Sequence, residues 1–185
     1  MFNLLMKVKE KKDEKTNDRF VAIDFETLSE WRACIISIGI VVIEDNKIKE
    51  KKYYTVCPPS KEENYYCVQT HGMHYEDVKD SPDFPTIWKE IDEKYIKGSP
   101  LVAHNIGFEK SCINACNEEF GTNSDYEYID TLKLSRQYFP KLENHKLNTV
   151  SEAIKHNLEH YHNAQDDALA CAKIFIKINK KHKLY

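Results

Sequence analysis

Residues 21–27 read VAIDFET, an apolar run into which two carboxylates are set one residue apart. The apolar residues predict a buried strand from about 20 to 25. Because side chains alternate between the two faces of a strand, Asp24 and Glu26 share one face, and Val21, Ile23 and Phe25 take the other. A carboxylate in apolar surroundings is costly unless its charge is compensated. Taken alone, however, the pair is more typical of a strand whose solvent-facing side is acidic.

The length and composition are those of one globular domain. The chain has 185 residues, of which 41% are hydrophobic, and we predict a single domain over 19–185 after a flexible or weakly helical tail at 1–18. No apolar run approaches the ~20 residues of a membrane span, and the first residues, MFNLLMKVKEKKDEK, lack the pattern of a secretory signal. We therefore predict a cytoplasmic protein that does not associate with a membrane.

The charge balance limits the kind of nucleic-acid protein that this chain can be. The formal net charge of −3 argues against broad, non-specific coating of nucleic acid. It is compatible with a nucleic-acid enzyme, because such an enzyme can present local lysines and metal ions to the phosphates. The lysine-rich stretches KVKEKKDEK and KINKKHK near the two ends are more typical of solvated termini than of a nucleic-acid-binding arm.

The order of the predicted elements indicates an α/β domain with a mixed sheet. Two further apolar runs, at 33–43 and 48–56, follow the first strand and are separated by a turn signal, which predicts a three-stranded antiparallel meander whose third strand is an edge. Residues 58–83 are expected to be irregular. Strands and helices then alternate, with strands at 101–103 and 126–129 and helices at 84–95, 107–120, 130–138, 147–154 and 164–180.

Two of the predicted helices carry an acid where an apolar residue is expected. In the last helix, Asp167 lies on the stripe formed by Ala164, Cys171, Ile174 and Ile178. Its neighbour Asp166 points elsewhere and, with Asn163 as N-cap, is suited to stabilising the helix start. Glu109 heads a similar stripe with Ile113, Cys116 and Phe120. An acid in a first turn commonly serves only the helix dipole, but a surface acid need not head an apolar stripe.

The four acids Asp24, Glu26, Glu109 and Asp167 are expected to converge. Their mutual repulsion in a low-dielectric cleft is large, and divalent cations would compensate it. Oxygen ligands suit two Mg²⁺ or Mn²⁺ ions, not zinc. A nearby base must then accept a proton from a water molecule, and His162, five residues before Asp167, is the candidate.

These residues resemble the motifs of the DEDD exonucleases of the histidine-containing subclass, the group that includes the proofreading epsilon subunit of DNA polymerase III. The three motifs are DFET at 24–27, VAHNIGFE at 102–109 and HNAQDD at 162–167. The segments THGMHYEDV and IDTLKLSR also resemble connecting segments of epsilon-like domains. The resemblance covers roughly 20–178, and three ordered motifs are far more specific than any one of them.

The resemblance implies a ribonuclease H-like fold, with a central mixed β-sheet flanked by helices. It implies 3′→5′ hydrolysis that releases nucleoside 5′-monophosphates, with Asp24, Glu26, Glu109 and Asp167 holding the metals and His162 as general base. It also implies contacts with the terminal nucleotide from five residues, namely Thr27, Leu28, His104, Asn105 and Phe108. Two of these residues also have a purely structural interpretation: Asn105 as a turn residue and Phe108 as a core residue.

One departure from the family concerns the second motif. Members of the family usually have Asp where this chain has Glu109, and Glu, being one methylene longer, must fold back to reach the same metal. Three functions remain open, with DNA hydrolysis favoured. The chain is a 3′→5′ exonuclease acting on the 3′ end of a single strand, an RNA-trimming exoribonuclease of the same superfamily, or a catalytically weak nucleic-acid-binding or polymerase-associated module. The protein partner considered is a polymerase or repair complex.

Overall fold

Three consecutive strands form the antiparallel meander that the sequence predicts. They are β1 (Arg19–Thr27), β2 (Ile35–Glu44) and β3 (Lys47–Thr55). Two short strands, β4 (Leu101–Ala103) and β5 (Tyr128–Asp130), add to the other side of β1 in parallel. The sheet order is β3-β2-β1-β4-β5, so the sheet is mixed and β3 is an edge, as expected. This computed structural model describes residues 19–185, and the predicted tail lies outside the described residues.

Seven α-helices are found in the described part of the chain. They are α1 (Tyr65–His71), α2 (Tyr75–Val78), α3 (Phe84–Ile91), α4 (Gly107–Phe120), α5 (Thr131–Tyr138), α6 (Leu147–Ala153) and α7 (Ala164–His182). A π-helical turn at Asp92–Ile96 continues α3, so the helix predicted over 84–95 is present in two parts. No helix within 19–185 is long and apolar enough to cross a membrane.

The prediction that residues 58–83 are irregular is wrong, because α1 and α2 lie there. The first of these helices is defined by its ends: the Asn64 side chain accepts hydrogen bonds from two backbone N–H groups of the first turn, and Gly72, at φ +74°, ends the helix in the left-handed region. Each helix buries one side chain, Val68 in α1 and Val78 in α2. One buried residue leaves no apolar periodicity for sequence analysis to detect.

The sheet separates two apolar clusters. On one face, Val21, Ile23 and Phe25 of β1 pack against α3 and α4. On the other face, Phe20 and Ala22 pack against α6 and α7. Since side chains alternate along β1, Asp24 and Glu26 continue the second face and point toward α7. The prediction that Asp24 and Glu26 share one face, with Val21, Ile23 and Phe25 on the other, is confirmed, and the face of the acids also carries Phe20 and Ala22.

Candidate active site

The topology brings two pieces of chain to the same edge of the sheet. Because β1 and β4 are parallel neighbours, their carboxyl ends lie side by side. The end of β1 carries Asp24 and Glu26, and β4 is followed by a turn and then by Glu109 in the first turn of α4. Such an edge, outside the carboxyl ends of the strands, is the usual position of a site in an open α/β sheet.

The start of α7 contributes Asp167 and, just before the helix, His162. The Asn163 side chain caps the helix by accepting hydrogen bonds from the backbone N–H groups of its second and third residues. Asp167 in the first turn is only 4% exposed. The backbone N–H of His162, which has φ +70°, donates to Asp167 Oδ2 at 3.0 Å. This hydrogen bond ties the histidine to the carboxylate that follows it.

All five predicted catalytic residues line one cleft of about 690 Å³, namely Asp24, Glu26, Glu109, His162 and Asp167. Within it, Glu26, His162 and Asp167 form a compact group in which one ligand atom of each lies within 4.8 Å of those of the others. Asp24 and Glu109 line the same cleft outside this compact group. Asp166, whose predicted role is at the helix start, does not line the cleft.

The carboxyl groups raise one another's pKa. The pKa of Asp24 lies well above its usual value because of burial and, in decreasing order, because of Glu109, Glu26 and Asp167. Burial and then Asp167 raise the pKa of Glu26 to about 8. Burial also raises the pKa of Asp167 to about 7, against the opposing effect of the hydrogen bond from His162. The cleft therefore resists full ionisation, which a cation would relieve.

Two buried carboxylate oxygens identify where positive charge is needed. Glu109 Oε2 and Asp167 Oδ1 are inaccessible to solvent and have no hydrogen-bond partner among residues 19–185. A buried acceptor without a partner is costly. Carboxylate oxygens are the ligands preferred by Mg²⁺ and Mn²⁺. The residues of this cleft thus fit divalent cations.

Glu109 lies inside the cleft despite its extra methylene. It is 2% exposed, and it raises the pKa of Asp24 more than either of the other two acids does. Its own pKa is raised to about 8 by burial and then by Asp130 and Glu26, while Arg32 acts in the opposite direction. The longer side chain is therefore close enough to the other acids to interact with them electrostatically.

Three of the five predicted substrate contacts line the cleft: His104, Asn105 and Phe108. Both ring nitrogens of His104 already have hydrogen-bond partners in the protein. Asn105, at φ +68°, donates its backbone N–H to Asp130. The half-buried Phe108 ring has the Arg32 guanidinium 4.5 Å from its centroid. Asn105 thus also lies in a turn and Phe108 is also partly buried, which are the structural roles considered for these two residues.

Thr27 and Leu28 do not line the cleft. The Leu28 side chain is fully buried in a third apolar cluster with residues of β2, α1 and α2. Its backbone N–H donates to the Cys34 carbonyl, and its own carbonyl accepts from Asn64. The Thr27 carbonyl lies 3.2 Å from His71 Nε2. A contact between Leu28 and a nucleotide would require this segment to move.

A family model decides the relationship to known proteins. The RNase_T model, which describes an exonuclease, matches residues 21–175. The chain belongs to this exonuclease family. It is similar to a DNA polymerase III of the PolC type from Caldanaerobacter subterraneus subsp. tengcongensis, with 36% identity over 164 residues, 88% of this chain and 12% of that protein. It is similar to the 3′-5′ exonuclease DinG of Bacillus subtilis, with 32% identity over 169 residues, 88% of this chain and 18% of that protein.

The exonuclease chain therefore spans only 12% to 18% of the length of these two relatives. Among solved structures, it resembles exonuclease X in complex with 5′ overhanging duplex DNA, with a TM-score of 0.72, 24% identity, and coverage of 90% of this chain and 94% of that one. It also resembles the nuclease domain of 3′hExo, a DEDDh family member bound to rAMP, with a TM-score of 0.76, 16% identity, and coverage of 91% and 94%. The predicted ribonuclease H-like fold and the DEDD-type assignment are confirmed.

Part of the cleft is not predicted by the sequence. The further lining residues are Phe25, Leu132, Arg136, Asn144, His145, Lys146, Leu147 and Tyr161. The Tyr161 ring packs 3.9 Å from the His162 ring, centroid to centroid. The connecting segment IDTLKLSR, which ends at Arg136, is the only sequence signal for this part of the cleft. Residues 144–146 precede α6 as a short polar stretch without periodicity, so the pattern does not indicate their position.

Proposed function

We propose that residues 19–185 form one exonuclease domain that hydrolyses a single strand from its 3′ end and releases nucleoside 5′-monophosphates, with DNA as the favoured substrate. The observation that supports this proposal most directly is the meeting of four carboxyl groups with His162 in one cleft. The name of the PolC-type relative, a DNA polymerase III, supports DNA as substrate and a polymerase complex as partner. The name of DinG, a 3′-5′ exonuclease, supports the direction of hydrolysis.

In this proposal, Asp24, Glu26, Glu109 and Asp167 hold two Mg²⁺ or Mn²⁺ ions. Bound ions of this kind lower the pKa of a water molecule and stabilise charge on the attacking and leaving oxygens of a phosphodiester. The carboxyl groups supply the negative charge for such ions. Their raised pKa values show that ionising them together is unfavourable without a bound cation. The two partnerless oxygens, on Glu109 and Asp167, support this assignment.

His162 is proposed to accept the proton of the attacking water. Burial lowers its pKa, so the neutral imidazole, which is the form able to accept a proton, is favoured near pH 7. Its backbone is held by Asp167 and its ring by Tyr161, and both contacts restrict where the imidazole can lie. A base held in this way is oriented before substrate binds.

The terminal nucleotide is proposed to lie beside His104, Asn105 and Phe108. Phe108 offers an aromatic face to a base or sugar, and such stacking is tolerant of sequence. Thr27 and Leu28 remain proposed contacts of the same nucleotide. These contacts require their segment to move toward the cleft. We choose DNA over RNA as the proposed substrate only because of the names of the relatives. RNA trimming is therefore the alternative outcome of the test.

Digestion of 5′-labelled strands, which shows the shortened products, and of uniformly labelled strands, which shows the released nucleotides, tests the proposal. DNA and RNA strands of one sequence are incubated with Mg²⁺ or Mn²⁺, or with excess chelator, and products are resolved by length. We expect a ladder that shortens from the 3′ end, monophosphate products, and no reaction with chelator. Asp167→Asn should reduce the rate by roughly 1,000-fold or more, as for loss of a residue central to a catalytic unit. Asp166→Asn, one residue away and outside the cleft, is the matched control.

Four results would contradict parts of this proposal. Full activity in excess chelator would exclude the metal-dependent mechanism, and internal cleavage products would exclude an exonuclease. A large preference for the RNA strand would replace DNA hydrolysis by RNA trimming. Tight binding of either strand without any release would favour the catalytically weak binding module.

A further inference from the structure

Four polar residues form a second wall of the cleft, which we call the basic wall: Arg136, Asn144, His145 and Lys146. Arg136 comes from the last turn of α5, and the other three come from the segment just before α6. The carboxyl groups, by contrast, come from β1, α4 and α7. The cleft therefore combines an acidic part with a separately built part that carries two basic side chains.

The main chain of the basic wall is anchored from the side of β4. His104 follows β4, and its Nε2 lies 2.7 Å from the His145 carbonyl oxygen. A carbonyl cannot donate, so His104 Nε2–H is the donor. Its Nδ1 lies 3.0 Å from the hydroxyl of the fully buried Thr131. One ring nitrogen of His104 thus holds the main chain of the wall, and the other contacts the first residue of α5.

His145 has a second anchor, in which its side chain is bound to α5. The buried Ser135 hydroxyl donates to the Leu132 carbonyl at 2.8 Å, and His145 Nδ1 lies 3.1 Å from the same hydroxyl oxygen. Because the single hydroxyl proton is directed at Leu132, His145 Nδ1–H is the donor. Arg136 directly follows the anchoring residue Ser135, and Lys146 directly follows His145. Their backbone positions are therefore set by the fold, although their side chains reach into solvent.

The two charges of the basic wall are not used within the described chain. Arg136 and Lys146 are exposed, and neither takes part in an ion pair among residues 19–185. In particular, neither cation lies within 4.0 Å of a carboxylate of the cleft.

We propose that Arg136 and Lys146 bind phosphates of the nucleic-acid strand on the 5′ side of the bond that is cleaved. This inference rests on the proposed function, since it assumes that the cleaved phosphodiester lies at the acid cluster. A strand carries its phosphates at regular intervals, so the next ones must lie elsewhere in or beside the cleft. Exposed Arg and Lys side chains are the usual phosphate contacts, and they position the backbone without reading sequence.

A pair of substrates separates this role from a role in the chemistry. A single-stranded oligo(dT) carries phosphates upstream of the cleaved bond. The p-nitrophenyl ester of thymidine 5′-monophosphate has the same terminal nucleotide and a cleavable phosphodiester, but no upstream phosphate. The double variant Arg136→Gln/Lys146→Gln is compared with Lys133→Gln/Lys141→Gln. The control pair removes the same net charge from exposed positions of α5 and the following loop that do not line the cleft.

We expect the Arg136→Gln/Lys146→Gln variant to raise the KM for oligo(dT) by about tenfold or more and to leave hydrolysis of the ester within about twofold of wild type. The slope of log KM against log salt concentration should fall by roughly 1 for each phosphate that the variant no longer binds. The control pair should change none of these quantities by more than about twofold.

The inference is overturned if the variant loses activity equally on both substrates, if oligo(dT) hydrolysis is unchanged, or if the control pair behaves in the same way. Hydrolysis of neither substrate by the wild-type chain would instead contradict the proposed function. In that case, fluorescence anisotropy of labelled oligo(dT) still tests the basic wall. Equal affinity of wild type and the Arg136→Gln/Lys146→Gln variant would then reject it.

Discussion

Gly39 of β2 lies directly against Ala164, the first residue of α7. A Cβ atom built on Gly39 would lie 1.9 Å from the Ala164 carbonyl oxygen, well inside van der Waals contact. Gly39 is also the residue that pairs with Asp24 across β1 and β2. The absence of a side chain at this position therefore sets the distance between the sheet, which carries Asp24, and the helix, which carries Asp167.

Gly39→Ala should push the start of α7 away from the sheet. Asp167 and His162 would then be displaced relative to Asp24, and a misplacement of about 1 Å can cost on the order of 100-fold in rate. We expect a fall of this size in kcat on a single-stranded substrate, together with a lower melting temperature. Steady-state kinetics and thermal unfolding measure the two effects separately.

Val41→Ala is the control for lost stability alone. Val41 lies two residues further along the same face of β2 and is fully buried against α7. Truncation should cost roughly 2 kcal/mol of unfolding free energy, but it leaves the start of the helix in place. If Gly39→Ala keeps wild-type kcat, or if Val41→Ala loses as much kcat, the close approach does not position the site.

The periodic parts of this protein are the parts that sequence analysis can locate. The meander, α4 and α7 have long apolar patterns with the period of a strand or a helix, and the inward acids stand out as exceptions to those patterns. Val68 and Val78 are the single buried residues of α1 and α2, so no pattern exists there. The two helices depend instead on caps and on tertiary packing around Leu28.

The candidate site can be predicted to the extent that it interrupts apolar stripes. Glu109 and Asp167 do so, and both are buried in the cleft. Arg136 and Lys146 do not, because they are exposed residues whose position depends on where the segment before α6 returns to the sheet. Leu28 illustrates the opposite case, in which motif similarity indicates a substrate contact and the fold buries the side chain elsewhere.

Without divalent cations, the protein should become less stable as the pH rises from 6.5 to 8. The folded-state pKa values of Glu26, Glu109 and Asp167 are raised to about 8, 8 and 7, whereas the same groups in the unfolded chain ionise near pH 4. The folded state therefore holds more protons in this window, and raising the pH favours unfolding. Histidines with lowered pKa act mainly below about pH 6.5.

Thermal unfolding in excess chelator and in Mn²⁺ measures this effect. The melting temperature in chelator should fall between pH 6.5 and 8, and Mn²⁺ should raise it more at pH 8 than at pH 6.5, because ionised carboxylates bind the cation. Glu109→Gln should weaken the pH dependence in chelator by removing one of the three groups. An equal Mn²⁺ shift at both pH values would argue against a carboxylate-held metal.

His162 should set the acidic limb of the pH–rate profile. Its neutral form must accept the proton of the water, so the rate falls as the pH drops through its pKa, which burial places below the ordinary value. His162→Ala should lose this limb and roughly 100- to 10,000-fold in rate. His160→Ala removes an exposed histidine two residues away, outside this cleft, and should retain both the rate and the limb.

The same limb in His162→Ala as in wild type would mean that a group other than His162 sets it, either another proton acceptor or the carboxyl groups that must ionise to hold the metals. Loss of rate in both histidine variants would instead indicate that the loop before α7 is disturbed as a whole. The melting temperature of each variant distinguishes this second case, because a disturbed loop would weaken the hydrogen bond from the backbone of residue 162 to Asp167.

The last prediction concerns Glu109, where the chain departs from the Asp that is usual in the family. Its side chain is buried among the acids and leaves Oε2 without a partner among residues 19–185, an arrangement that is costly unless a cation is bound. We therefore expect the surroundings to fit the longer side chain. Glu109→Ala should reduce kcat sharply and raise the metal concentration that gives half-maximal rate. Glu109→Asp should be no faster than wild type, since its carboxylate falls one methylene short.

Titration of nuclease activity with Mn²⁺ in the two variants and in wild type decides among three cases. If Glu109→Asp accelerates cleavage many-fold, the natural residue weakens the metal site and the binding-module alternative gains support. If Glu109→Ala changes neither the rate nor the metal dependence, Glu109 is only an acid at the start of α4. The proposed ligand set would then shrink to Asp24, Glu26 and Asp167, and a cation held by these three alone would have to offset the effects that raise the pKa of Asp24.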